Sequence, residues 1–267
     1  MITFPNAKIN IGLNVVEKRP DGYHNLETIF YPLKLSDALE LIEADTTTFS
    51  VSGIQIDSVP ENNLVVKAYN ILCEDYKLPP VKLHLHKVIP FGAGLGGGSS
   101  DAAFTLKMLS NYFNLGISPK RLKQYAAKIG ADCPFFIENK PTFAYGIGDQ
   151  FKPVNIDLSA YEIVILKPNC SVNTPQAYKN ITAEKPVFNL TEIEKLSIEK
   201  WKHVVKNDFE KSVFPQFPEV QYLKEKLYEL GAVYASMSGS GSAVFGIFRH
   251  LPVDIDKNLP KGIFIYR

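Results

Sequence analysis

Apolar and polar residues alternate near the start of the chain: Ile9, Ile11, Leu13 and Val15 fall on one side of an extended backbone, and Lys8, Asn10, Gly12 and Asn14 on the other. The spacing predicts a strand with one core face. Its second face is either solvated or a row of donors for phosphate and hydroxyl groups. Arg19-Pro20-Asp21-Gly22 is a turn, because Pro presets φ and Gly accepts a positive one. Residues 26–35 then read as a strand, 49–51 and 54–56 as shorter β-like runs, and Pro60-Glu61-Asn62-Asn63 as the opening of a helix to about Tyr76. A strand over 81–89 leads into a run dominated by glycine.

Beyond that run the period changes to a helical one, with Ala102, Ala103, Leu106, Leu109 and Phe113 on one face and Ser99, Ser100 and Asp101 as candidate caps. A second helix has Ser118 as N-cap, Pro119 at its first position and Gly130 past its end. A Gly-containing stretch over 143–150, followed by Pro153, marks a domain seam, dividing the chain into 1–153 and 154–267. Residues 161–166 form a strand, Thr174-Pro175 starts a helix carrying Tyr178, 192–205 read as a charged surface helix, and 219–230 as a helix ending at Gly231. The β-like runs 232–237 and 243–248 are joined by Ser238-Gly239-Ser240-Gly241-Ser242, and 262–266 looks like a closing strand.

The glycine run carries the first chemical signal. Five of the fourteen residues from Pro90 to Ala103 are glycines, placed between a strand and a helix. Glycine lets a backbone turn with positive φ and bring its N–H groups close to a ligand, and the N-terminus of the following helix favours an anion. A phosphate cradle fits better than a mobile turn. Gly92 and Gly97 have the spacing of a G-x-x-x-x-G-K-[ST] loop, but Gly98 stands where the lysine must be. Gly92, Gly94 and Gly97 also satisfy G-x-G-x-x-G; a dinucleotide site, however, wants an acidic residue about 20 positions on, and no Asp or Glu lies between Asp101 and Asp132.

Length and charge narrow the class. A chain of 267 residues can bury an ample core, and 29 basic against 28 acidic residues leave a net charge of +1, with no global field for nucleic acid or an anionic membrane. A small-molecule partner is expected. Cys73, Cys133 and Cys170 are odd in number and dispersed, which suits thiols in a reducing compartment. Without a signal core or an apolar run near the ~20 residues that span a bilayer, a soluble cytoplasmic protein is expected.

Other residues carry chemistry with two readings each. Tyr23-His24, delivered by the turn, either stack on a planar ligand or pack. His84 and His86 share a strand face but have no third metal ligand nearby. Asp132, in Gly130-Ala131-Asp132-Cys133-Pro134, is either a general base, raised by burial and lowered by a nearby lysine, or a cap for the turn. The Ser238–Ser242 turn is either an ordinary hairpin or a second ligand-facing loop.

Pro5-Asn6-Ala7-Lys8-Ile9-Asn10, Asp21-Gly22-Tyr23-His24, the glycine loop, Gly130 to Pro134, Asn207-Asp208-Phe209-Glu210 and Met237 to Ser242 together resemble the GHMP kinases along nearly the whole chain. Gly-Leu-Gly-Gly-Gly-Ser-Ser with Asp-Gly-Tyr-His is similar to the branch that phosphorylates the C2 hydroxyl of a cytidine-diphosphate-linked methylerythritol in the non-mevalonate route to isoprenoid precursors. The resemblance implies an α/β (α+β) two-domain fold, with a ribosomal S5 domain 2-like ATP-binding half, a ferredoxin-like half, and substrate held between them. It implies ATP and Mg²⁺ as cofactors, and a monomer or weak homodimer. By the same match Asp132 is the base and Lys8 its partner, with Asn10 at the same polar end. Pro90, Phe91, Gly92, Ala93, Gly94, Leu95, Gly96, Gly97, Gly98, Ser99 and Ser100 wrap the ATP phosphates, and Asn63 and Lys87 lie near the adenine. Tyr23 and Tyr178 sandwich the cytosine, His24 reads its edge, and Thr174 joins the substrate site. A tyrosine at 178 replaces the family's phenylalanine, and no glutamate matches its Mg²⁺ ligand. The rivals are a GHMP kinase for homoserine, mevalonate or a sugar, a non-catalytic nucleotide-binding protein, and a dinucleotide-dependent oxidoreductase.

Overall fold

The structure, a computed structural model, describes residues 1–55, 62–179 and 181–267. In chain order the elements are β1 (Ile2–Thr3), β2 (Asn6–Lys18), β3 (His24–Ser36), β4 (Ala38–Glu43), β5 (Thr48–Gly53), α1 (Leu64–Tyr76), β6 (Val81–Lys87), α2 (Gly97–Tyr112), α3 (Pro119–Ile129), α4 (Phe135–Glu138), β7 (Thr142–Gly146) and β8 (Gln150–Pro153). They continue with β9 (Glu162–Lys167), α5 (Thr174–Tyr178), a 3-10 turn Leu190–Lys195, α6 (Ile198–Val204), α7 (Glu210–Val213), α8 (Pro218–Glu229), β10 (Tyr234–Met237), β11 (Val244–Phe248), a 3-10 turn Ile255–Asn258 and β12 (Phe264–Tyr266).

By Cα compactness the chain forms two units. One unit comprises Met1–Lys8, Pro32–Phe91 and Gly96–Lys140; the other comprises Ile9–Tyr31, Gly92–Leu95 and Pro141–Arg267.

In the first unit β1, β4, β6 and β5 form a sheet in that order, antiparallel except for the parallel β5–β6 pair. Leu39 and Leu41 of β4 alternate into the core with Val81, Leu83 and Leu85 of β6. On the exposed face His84 and His86 hydrogen-bond to the Ser50 and Ser52 hydroxyls. Among the described residues no group of three or more His, Cys, Asp and Glu could hold a metal ion. Helix α2 packs against α1, α3 and α4 and supplies the buried Ala102, Ala103, Leu106 and Leu109. The Ser118 Oγ accepts from Arg121 N at 3.3 Å, with Pro119 in the first turn of α3. Helix α1 begins at Leu64 because Asn63 Oδ1 accepts from Val65 N at 2.9 Å; the expected strand residue Ile56 and the expected opening residues Pro60 and Glu61 lie outside the described residues.

Within the second unit the residues of β2 from Ile9 and of β3 up to Tyr31 form a sheet with β7 and β8. The other sheet runs β10-β11-β9-β12, antiparallel throughout. Helix α8 covers β10 and β11, and Val164, Leu166, Val220, Leu223, Leu227, Met237 and Val244 share one core with Leu13 and Val15.

The structure settles one open reading and departs from the pattern-based expectation at others. Both faces of β2 are buried from Asn6 to Val15, so Lys8, Asn10 and Asn14 are enclosed rather than solvated. Ser99, Ser100 and Asp101 do not cap α2: its N-cap is Gly96, in the left-handed region at φ +70°, and Ser100 N already donates to Gly96 O. The stretch 192–205 is broken at Leu196, where Ser197 starts α6 anew. No helix among the described residues is long and apolar enough to cross a membrane.

Candidate active site

Residue 87 has the same strand parity as Val81, Leu83 and Leu85, so alternation sends a lysine into the core. Buried charge needs partners. Lys87 Nζ finds two, Asp37 Oδ2 at 2.5 Å and Asp101 Oδ2 at 2.8 Å. Asp37, between β3 and β4, also accepts from Val88 N at 2.6 Å and Ile89 N at 2.8 Å. Burial lowers the Lys87 pKa and the Asp101 and Asp37 charges more than reverse it, so the net shift is upward. This lysine is engaged beneath the start of α2: a Cβ on Gly97 would lie 3.2 Å from its Nζ.

In the glycine loop, Gly96 adopts a left-handed backbone, and a Cβ there would press Phe136 and Lys8 at 3.0–3.1 Å. Only glycine serves. The first N–H of α2 with a main-chain helical acceptor is that of Ser100. The N–H groups of Gly97, Gly98 and Ser99 thus stand ahead of the helical ladder, where an anion is favoured.

On the same unit Lys8 Nζ lies 3.5 Å from Asp132 Oδ2. The lysine side chain is 3% exposed, the carboxylate's 36%. Asp132 is therefore not enclosed by its apolar neighbours: Cys133, Phe135 and Phe136 turn inward and the carboxylate turns out. The turn is closed by main-chain bonds, Cys133 N to Gly130 O and Phe135 N to Asp132 O. Burial lowers the Lys8 pKa, against the charge and hydrogen bonding of Asp132. An accessible carboxylate beside a desolvated ammonium can take a proton from a hydroxyl and offset developing charge. The adjacent Cys133 thiol is pushed up to about 12 by burial, which leaves it un-ionised.

In the second unit the Gly92–Leu95 part of the loop meets the Ser238–Ser242 turn. A Cβ on Gly94 would lie 1.9 Å from Ser238 O, and Ser238 Oγ donates to Gly94 O at 2.8 Å. Ala243 N donates to Ala93 O. Asn10 is tied in as well: its N donates to Ser238 Oγ and its Nδ2 to Thr28 Oγ1. The Asn-Asp-Phe-Glu motif is the brace for this turn. Asn207 Nδ2 donates to Met237 O and Gly239 O, both at 2.8 Å, Asp208 Oδ2 accepts from Val15 N, and Glu210 Oε1 accepts from Met237 N at 2.9 Å. Phe209 meets Tyr178 edge-on.

A cavity of about 410 Å³ in this unit is lined by Gly22, Tyr23, His24, Ile147, Thr174, Pro175 and Tyr178. Four expected substrate residues thus share one cleft. The His24 ring itself stacks on Tyr178, centroids 4.8 Å apart and planes at 21°. Tyr23, just before β3, stays outward and exposed, while His24, the first residue of β3, meets Tyr178. Burial, with Lys18 adding to it, lowers the His24 pKa. Its neutral ring offers one donor and one acceptor. Thr174 Oγ1 pairs with Ser240 Oγ at 3.2 Å.

Asp37 and Asp101 were missing from the expected site. A lysine at a core parity of β6 and an aspartate on the apolar face of α2 are the signals that call for such a cluster.

Two family models match the chain, the GHMP kinases N terminal domain over 63–140 and the GHMP kinases C terminal over 189–257. A 4-diphosphocytidyl-2-C-methyl-D-erythritol kinase of Parabacteroides distasonis is 55% identical over 248 residues, covering 93% of this chain and 92% of that protein. One from Chlorobium phaeobacteroides is 41% identical over 250 residues, covering 91% and 84%. The crystal structure of a 4-(cytidine 5'-diphospho)-2C-methyl-D-erythritol kinase superposes with a TM-score of 0.80 at 32% identity, over 92% of this chain and 90% of that one. Methanococcus jannaschii mevalonate kinase superposes with a TM-score of 0.74 at 13% identity, over 100% and 96%, a likeness of fold alone.

Proposed function

The chain belongs to the GHMP kinase family, an ATP-dependent kinase of two-domain GHMP fold, and on that premise we propose that it phosphorylates the C2 hydroxyl of 4-diphosphocytidyl-2-C-methyl-D-erythritol. The observation that carries the chemistry is the Lys8–Asp132 pair, a buried ammonium 3.5 Å from a partly exposed carboxylate. Asp132 accepts the hydroxyl proton as the C2 oxygen bonds to the γ-phosphorus and the bond to the β-phosphate oxygen breaks, releasing ADP. Lys8 orients the carboxylate and offsets charge. Phosphoryl transfer needs mainly positioning and charge stabilisation, and the N–H groups of Gly97, Gly98 and Ser99 are set to hold phosphate oxygens. Asn63 at the N-terminus of α1 is assigned to the adenine end.

The cleft with Tyr23, His24, Thr174 and Tyr178 is assigned to the cytidyl group, with Tyr23 as stacking surface and the neutral His24 matching a donor and acceptor on the base edge. Mg²⁺ is proposed as the companion of the nucleotide. Mg²⁺ commonly keeps several waters and binds through substrate phosphates, and no protein ligand set is assigned. Residues 1–153 and 154–267 are proposed as the family's ATP-binding and ferredoxin-like halves, in a cytoplasmic monomer or weak homodimer.

The test is transfer from γ-labelled ATP with Mg²⁺ to 4-diphosphocytidyl-2-C-methyl-D-erythritol, beside homoserine and mevalonate. Label in the cytidyl substrate alone is expected. Label in a control instead would overturn the substrate assignment, and label in none would leave a non-catalytic nucleotide-binding protein.

A further inference from the structure

The strand that precedes the glycine loop and the helix that follows it are joined by three charges. Lys87 ends β6, Asp101 sits in the first turns of α2, and Asp37 links β3 to β4, with all three side chains at most 3% exposed. Two carboxylates face one ammonium. Such a cluster carries a net negative charge unless it also holds a proton, and that charge would stand directly behind the N-terminus meant for an anion. Asp101 Oδ1 is buried with no hydrogen-bond partner among the described residues, where a carboxylic acid proton can reside. Burial, opposed by Lys87 and aided by Asp37, raises the Asp101 pKa to about 7.

We propose that Lys87, Asp37 and Asp101 are positioning residues forming a proton-balanced strut, which sets the start of α2 against β6 and is neutral while Asp101 holds its proton, so that nucleotide phosphates are not repelled. The strut rests on the reading of the loop as the nucleotide site. It also gives Lys87 a role other than a contact to adenine, since two of its three donors are spent on carboxylates. The two anchors on Val88 N and Ile89 N carry the same restraint into the chain just before Pro90. The charged groups facing Asp101 are Lys87 from β6 and Asp37 from the β3–β4 link. The inward residues of α1, α3 and α4 are apolar apart from Tyr69 and Tyr125. Their hydroxyls are engaged elsewhere, Tyr69 with Thr47 and Pro79 O, Tyr125 with Asp75.

Titration of a fluorescent non-hydrolysable ATP analogue with Mg²⁺ from pH 6 to 8.5, in the full chain and in Asp101→Asn, tests the strut. Asparagine keeps an acceptor for Lys87 and cannot gain charge. The wild-type Kd should rise by about three- to tenfold as pH passes 7, the scale expected for one charge near a screened anion, whereas the variant should show only the nucleotide's own titration. A ¹³C titration of the wild-type Asp101 carboxyl should give a midpoint near 7, and this holds whether or not the variant folds. Binding with identical pH profiles in both proteins, or a carboxyl midpoint in the ordinary aspartate range, would overturn the strut alone. No binding at any pH in either protein would overturn the nucleotide reading and the strut with it.

Discussion

Lys8 and Lys87 are both 3% exposed on β-strands, both beside carboxylates, and yet they titrate in opposite directions. At Lys87 two carboxylates, at most 3% exposed, sit at 2.5 and 2.8 Å, and their attraction exceeds the cost of desolvation. At Lys8 the partly exposed Asp132 carboxylate sits at 3.5 Å, and burial wins. The difference separates architecture from chemistry. A lysine held by two carboxylates is locked into the protein, while a lysine left under-compensated beside an accessible carboxylate is suited to receive negative charge that develops during a reaction.

The largest expected effect lies on the chemical side. Asp132→Asn should lower kcat by on the order of 10²–10⁴-fold with the ATP-analogue Kd little changed; steady-state kinetics at saturating substrate checks this, and an unaltered kcat removes Asp132 from the mechanism. On the architectural side, Asp37→Ala strips two main-chain N–H groups and Lys87 of their acceptor. Breaking such a buried pair should cost about 3–5 kcal/mol in urea denaturation. A loss below about 1 kcal/mol, the range of an exposed pair, would erase the distinction.

Smaller effects sharpen it. Tyr23→Ala should weaken the cytidyl substrate by about 1–3 kcal/mol without altering ATP binding, and an unchanged substrate Kd would return Tyr23 to mere packing. The smallest is a slope with pH. Because the folded-state pKa of Lys8 lies below its unfolded value, the unfolded chain binds more protons between the two, so stability should rise with pH there. For Lys87 the sign is opposite: its contribution is present below the unfolded lysine value and is lost as pH climbs through the raised folded one. Lys8→Met should flatten the rising part of the urea stability profile just below the ordinary lysine pKa of 10.5; an unchanged profile would mean that Lys8 is not desolvated.

What was readable beforehand was local. Ser118 before Pro119 marks a helix start by itself, and the glycine run announces an anion site without help from the rest of the chain. Alternation along β2 gave one core face, but burial of the other face, with Lys8 and Asn10, depends on packing that no nearby residue encodes. Asp37 is 50 positions from Lys87 in sequence, so their pairing has no local signature. Gly96 took the capping position from Ser99, Ser100 and Asp101 because a left-handed backbone turns the chain into α2 three residues before Ser99. His24 and Tyr178 could be assigned to one ligand end by family resemblance, whereas their mutual stacking is a tertiary contact between positions far apart in sequence.

The most direct test of the division of labour is a crossed measurement on Lys8→Met and Lys87→Met, each assayed for phosphoryl transfer and for unfolding free energy. Lys8→Met should lose most of its turnover while its stability stays within about 1 kcal/mol of wild type, since Asp132 remains solvated. Lys87→Met should lose about 3–5 kcal/mol of stability, because the buried carboxyl groups of Asp37 and Asp101 are left without their cation. Equal losses of stability in the two variants, or full turnover in Lys8→Met, would contradict the account.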